Sequence, residues 1–111
     1  MNKKQISELL TQIGLNPAYR GYIYLVHIIY LVSSDQDFTF FTLRGLYERT
    51  STDLGISPGA IQHNIRTLLD SYWNQKNMKY FRNLTGYPVH DPVPPKEFIA
   101  VLADYIRRHE N

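Results

Sequence analysis

A chain of 111 residues, 43% of them apolar and 20% charged, suits one folded domain with a single modest core. It has no cysteine, which excludes disulfides and thiolate chemistry and fits a reducing cytosol. Its formal charge of +2 is a weak pull toward a polyanion, no larger than many enzymes carry.

Met1-Asn2-Lys3-Lys4-Gln5 leads into a polar-faced helix rather than a long apolar run, so no signal peptide is expected. Ile6, Leu9, Leu10 and Ile13 mark that first amphipathic helix, which Gly14 closes. Asn16 as cap and Pro17 at the first position predict a second helix running to about Val32. Its residues Tyr22, Ile23, Leu25, Val26, Ile28, Ile29, Leu31 and Val32 are apolar nearly all round, as in a central buried helix. The run is broken by His27 and is too short to span a bilayer, so no membrane partner is expected. Residues 33–37 read as a loop and Phe38 to Phe41 as a short aromatic patch. Thr42 or a residue near it opens a third helix carrying Leu43, Leu46 and Tyr47. A fourth helix follows. Residues 74–77 separate it from a short fifth, Met78 to Leu84, stopped by Gly86. Pro88, Pro92, Pro94 and Pro95 make an extended arm before a last helix from Glu97 to Arg108. The expectation is an all-α, six-helix single domain over residues 1–111, with no repeat and no strand. Its core is predicted from Tyr22, Leu25, Val26, Ile29, Leu46, Ile61, Ile65, Leu69, Trp73, Phe98 and Leu102.

The most informative stretch is Leu54 to Trp73. Gly55 can end one helix in the left-handed conformation that other residues adopt at a steric cost. Ser57 can accept a bond from the free N–H groups of the next helix, and Pro58 suits its first position. Ile61, Ile65, Leu68, Leu69 and Tyr72 then share one face, while Gly59, Gln62, His63, Arg66 and Asp70 share the other. A helix, a glycine turn and a capped second helix make a helix-turn-helix over about residues 43–73, whose second helix, 58–73, enters a DNA major groove. The same pattern also fits an ordinary helical hairpin.

Other chemistry finds no support. His27, His63, His90 and His109 form no i, i+3 or i+4 pair, so no metal site is expected, and His27 reads as a helix-face or core residue. Asp35, Asp37 and Asp91 fit neither an acid–base pair nor a calcium loop. The serines sit at caps and in loops, without nucleophile-elbow glycines. The tyrosines Tyr19, Tyr22, Tyr24 and Tyr30 fall along the apolar second helix and read as core. No catalytic residue and no cofactor are expected.

The chain resembles the C-terminal DNA-binding (effector) domain of the sporulation master response regulator of endospore-forming bacteria. The resemblance rests on Ile6, Leu9, Gly14, the block Gly21-Tyr22-Ile23-Tyr24-Leu25, Leu46-Tyr47, Ile61, Ile65-Arg66, Trp73 with Asn77, Gly86-Tyr87, Glu97-Phe98-Ile99-Ala100 and Ala103-Asp104. It covers nearly the whole chain. It implies six helices with the third and fourth as the helix-turn-helix, a transcription regulator, and dimers or tandem copies on repeated sites in double-stranded DNA. With Met1 first, the expectation is a stand-alone effector domain without a receiver.

The sequence departs from that family at the start of the fourth helix. The family's serine-like residue, arginine, apolar residue, glutamate and second arginine correspond to Gly59, Ala60, Ile61, Gln62 and His63. Arg66 alone carries over as a matched contact residue. Arginine pairs guanine and glutamine pairs adenine, each such contact contributing about 1–3 kcal/mol of discrimination. A site containing both bases is therefore expected, different from the family's own. Gln62, His63 and Arg66 are the candidates for base reading. His63 would bond phosphate or base more strongly when protonated.

From Leu43 to Asp70 the charges cancel: Arg44, Arg49 and Arg66 against Glu48, Asp53 and Asp70. Positive charge gathers just beyond, at Lys76, Lys79 and Arg82, with no acid between Ser71 and His90. Ser57, Gly59, Lys76, Lys79 and Arg82 are the candidates for the DNA backbone. The expected function is sequence-specific DNA binding in the cytoplasm. The neutral helix-turn-helix keeps an alternative open: a protein-interaction module that lost base readout and modulates a full-length relative. The quorum-regulator type of helix-turn-helix shares Ile56-Ser57 and Ile61-Gln62-His63, but its four helices leave the Gly21–Leu25 block and the Glu97–Ala103 helix unexplained.

Overall fold

A computed structural model describes residues 1–34 and 42–110 and folds them into six helices. In chain order these are α1 (Lys3–Gln12), α2 (Gly21–Ser34), α3 (Leu43–Leu54), α4 (Pro58–Asn74), α5 (Met78–Thr85) and α6 (Pro95–Arg108). No strand occurs among the described residues. The loop expected at 35–37 and the aromatic patch Phe38 to Phe41 lie outside them.

Local chemistry accounts for most of the helix ends. Thr42 and Ser57 cap α3 and α4, accepting from the N–H groups of Gly45 and Ala60. Gly55 and Gly86 end α3 and α5 at φ of 70° and 73°, the left-handed region that spares glycine the usual clash. Three starts differ from the pattern in the sequence. α1 begins three residues before Ile6, because Asn2 and Gln5 close a capping box with bonds of 2.8 and 2.9 Å. α6 begins at Pro95 rather than Glu97, because Pro95 suits the first helical position, which needs no N–H. α2 begins at Gly21, not at Pro17. Asn16 Oδ1 accepts from the Ala18 N–H at 2.9 Å, so Asn16 closes a local turn instead of capping the helix.

The first residue of α2 also meets a tertiary demand. Gly21 presses on the backbone of α4, where an added Cβ would stand 2.3 Å from the Asn64 carbonyl oxygen. Only a glycine lets the two helices approach so closely.

α2 is the central helix, packed against α1, α3, α4 and α6. Every residue of the predicted core joins one buried cluster, which also takes in Ile6, Leu10, Ile28, Phe81, Ile99 and Ile106. Where α4, α5 and α6 meet, Tyr72, Trp73, Phe81 and Phe98 form an aromatic knot. Trp73 lies edge-on to the other three, and Phe81 stacks on Phe98 with centroids 5.0 Å apart. Tyr72 runs from this knot to α1, its hydroxyl donating to Ile13 O at 2.8 Å. Asn77, buried, donates to Tyr72 O at 2.9 Å and fills the space beside Gly14. No helix among the described residues is long and apolar enough to cross a membrane.

Candidate nucleic-acid interface

The apolar side of α4 decides what its other side can present. Ile61, Ile65, Leu68, Leu69, Tyr72 and Trp73 are buried, which rotates Gly59, Gln62, His63, Arg66 and Asp70 outward. All five are exposed. Thr67, absent from the candidates, joins this stripe and ties its hydroxyl back to His63 O at 3.0 Å. The stripe begins at an ordered helix start. Ser57 Oγ accepts from the Ala60 N–H at 3.2 Å, and Ser57 O accepts from the Ile61 N–H at 3.1 Å. Ser57 therefore has a capping role. Nothing stands within 4 Å of where a Cβ on Gly59 would lie.

The three arginines of α3 and α4 are not equivalent. Arg44 pairs with Glu48 at 3.1 Å, and Arg49 pairs with Asp53 at 3.1 Å, each at i, i+4 within α3. Asp53 also takes a hydrogen bond of 2.9 Å from His27 Nε2. Lys3 Nζ lies 2.7 Å from His27 Nδ1. An ammonium can only donate, so Nδ1 accepts and Nε2 carries the proton toward Asp53. That bond from His27, with the Arg49 guanidinium beside it, holds the Asp53 carboxyl below its ordinary value. His27 is thus a buried link between α1, α2 and α3. Arg66 has no carboxylate partner among the described residues. Its charge is felt by Tyr47, whose phenol burial raises and Arg66 partly lowers. Cancellation in the sum of charges therefore hides one unpaired cation, and it lies on α4.

An open cleft of about 490 Å³ separates the first turns of α4 from α3. Leu43, Arg44, Tyr47 and Glu48 form one wall, and Pro58, Gly59 and Gln62 the other. The sequence marked Arg44 and Glu48 only as cancelling charges and gave no sign that they face Gly59 and Gln62.

The basic candidates beyond α4 stand apart from the stripe. Arg66 to Asn74 alone spans about 12 Å of helix axis. Lys76 is exposed and takes φ of 61°, a left-handed conformation that costs a lysine about 1 kcal/mol or more. Lys79 is exposed, its Nζ 5.0 Å from the centre of the Tyr80 ring. Arg82 is half-buried and donates from Nη1 to Val89 O at 2.9 Å, which holds the proline-rich arm against α5. The guanidinium keeps further donors, but one is committed to the fold.

Residues 6–106 match the family described as the sporulation initiation factor Spo0A C terminal. The chain belongs to that family. The Spo0A C-terminal family consists of DNA-binding domains of a sporulation regulator and is not an enzyme family. The motifs behind the resemblance acquire physical reasons in this structure. Gly21 admits the α4 backbone, Trp73 anchors the aromatic knot, and Asn77 closes the end of α4 against Gly14. These residues serve the Spo0A C-terminal fold. The stripe on α4 makes no ion pair within it among the described residues.

Proposed function

We propose that this chain is a sequence-specific transcription regulator whose α3 and α4 form a helix-turn-helix, with α4 lying in the DNA major groove. The observation that carries this is the exposed stripe of Gly59, Gln62, His63 and Arg66, with Arg66 the one arginine of the two helices lacking a carboxylate partner among the described residues. Gln62 pairs adenine, Arg66 pairs guanine, and His63 bonds a base or a phosphate. The open space over Gly59 brings the start of the helix close to the duplex. Lys76 and Lys79 neutralise phosphates beyond the far end of α4, with the remaining donors of Arg82. Ser57 acts through the helix start it caps. Such a protein works beside chromosomal DNA in the cytoplasm, as single copies or as paired copies on repeated sites.

Site selection from random duplexes, read for wild type, Arg66→Ala and Gln62→Ala, tests this. A changed preference at one base pair per variant is the expected result, each variant losing about 1–3 kcal/mol on the preferred site. Uniform weakening across all sequences would reduce the two side chains to backbone contacts. The alternative, an interaction module paired with a full-length relative, draws on the ion pairs that tie up Arg44 and Arg49. Absence of duplex binding by the wild type at low salt would favour it.

A further inference from the structure

We infer that Glu48, on α3, is a specificity-determining residue of the DNA-binding surface, and that it acts by penalising wrong duplexes. The inference rests on α4 being the reading helix. The cleft between α3 and α4 has Arg44 and Glu48 on one wall and Gly59 and Gln62 on the other, so a duplex edge seated on Gly59 and Gln62 meets Glu48. The Arg44 side chain is 90% exposed and Glu48 59%, so neither is buried by the fold, and their bond of 3.1 Å is open to competition.

A carboxylate at that place has few favourable partners on DNA. It accepts from the amino group of cytosine, and adenine offers an amino group of the same kind. Phosphates and the acceptor edges of guanine and thymine repel it. A duplex with no amino group facing Glu48 is therefore disfavoured. Glu48 also keeps Arg44, the nearest cation on that wall, from adding a phosphate contact to every duplex alike. The neutral charge of the two helices becomes a device for selectivity: nonspecific attraction is held down while Arg66 stays free to read.

The experiment measures binding of wild type, Glu48→Gln, Arg44→Gln and Arg66→Ala to the preferred duplex and to an unrelated duplex across a salt series. Matching thermal melts control for folding, because both Glu48 and Arg44 are exposed. With Glu48→Gln, the unrelated duplex should bind about 4-fold more tightly near 0.2 M salt, and its salt slope should steepen by about 0.9, the signature of one added phosphate contact. The preferred duplex should gain less, so the ratio between the two falls. Arg44→Gln should weaken both duplexes by leaving Glu48 uncompensated. Unchanged affinity and slope for Glu48→Gln, with Arg66→Ala still altering site preference, would overturn the role of Glu48 and leave the reading helix standing. Equal strengthening of both duplexes would also overturn it, since the effect would then be bulk charge. No duplex binding by the wild type at any salt would overturn the reading helix and this inference together.

Discussion

Gly21 and Gly59 stand on the two sides of α4 and could hardly differ more in their surroundings. At Gly21 a Cβ would lie 2.3 Å from one backbone atom of α4 and 2.6 Å from the next, with no side chain able to give way. At Gly59 a Cβ would meet nothing within 4 Å. The fold requires the first glycine and is indifferent to the second. A residue type that the fold leaves free, placed at the start of an exposed polar stripe, points outward to whatever the stripe meets.

The strongest way to break this contrast is at Gly21. Gly21→Ala should lose on the order of 4 kcal/mol, above the usual 1–3 kcal/mol of overpacking because the clash is with backbone. A urea midpoint equal to that of the wild type would show that α2 and α4 can separate cheaply. Next comes Leu69, 2% exposed on the same inner side. Leu69→Ala should cost about 3 kcal/mol, within the 2–5 kcal/mol of a truncated core leucine. A loss below about 0.5 kcal/mol would place it at the surface.

Tyr72 sharpens the contrast through pH. Burial raises its phenol above the ordinary value of 10.0, so the folded state holds a proton that the unfolded chain releases. A raised value contributes stability that is present below about pH 10 and lost as pH rises beyond it. Tyr72→Phe should cost about 1 kcal/mol at neutral pH, for the bond to Ile13 O, and should flatten the alkaline loss. Equal slopes for wild type and variant between pH 9 and 11 would remove Tyr72 as the cause.

The smallest effect belongs to Gly59. Gly59→Ala should leave the fold intact and stabilise it by about 0.5 kcal/mol, because alanine loses less backbone freedom in a helix. The same variant should weaken duplex binding several-fold by setting a methyl group between helix and DNA. Binding as tight as wild type would show that close approach at Gly59 is not used.

Much of this was legible in the chain. The cap at Ser57, the turn at Gly55 and the period of Ile61, Ile65, Leu68 and Leu69 are local chemistry, and they determined where α3 ends, where α4 begins and which side of α4 faces in. The outward stripe followed as the complement of that buried side. The start of α2 was not legible, because Asn16-Pro17 is a sound helix opening by local rules, yet the Asn16 side chain closes a turn onto the Ala18 N–H and the helix starts at Gly21, against the α4 backbone. The tie from Arg82 to Val89 and the link from Lys3 through His27 to Asp53 were hidden because only the folded chain brings those residues together.

What the sequence determined by itself was the family, through residues spread over nearly the whole chain, and the six helices and the two sides of α4, which depend on residues within a few positions of one another. Only the folded structure decided how the charges are shared. A count of arginines and acids returns neutrality for α3 and α4, whereas the folded chain pairs Arg44 with Glu48, gives Asp53 to Arg49 and His27, and leaves Arg66 without a carboxylate among the described residues. Charges interact by distance in space. The packing of α2 on α3 brings His27 to Asp53, and the packing of α3 against α4 sets the Arg44–Glu48 pair across the cleft from Gly59 and Gln62.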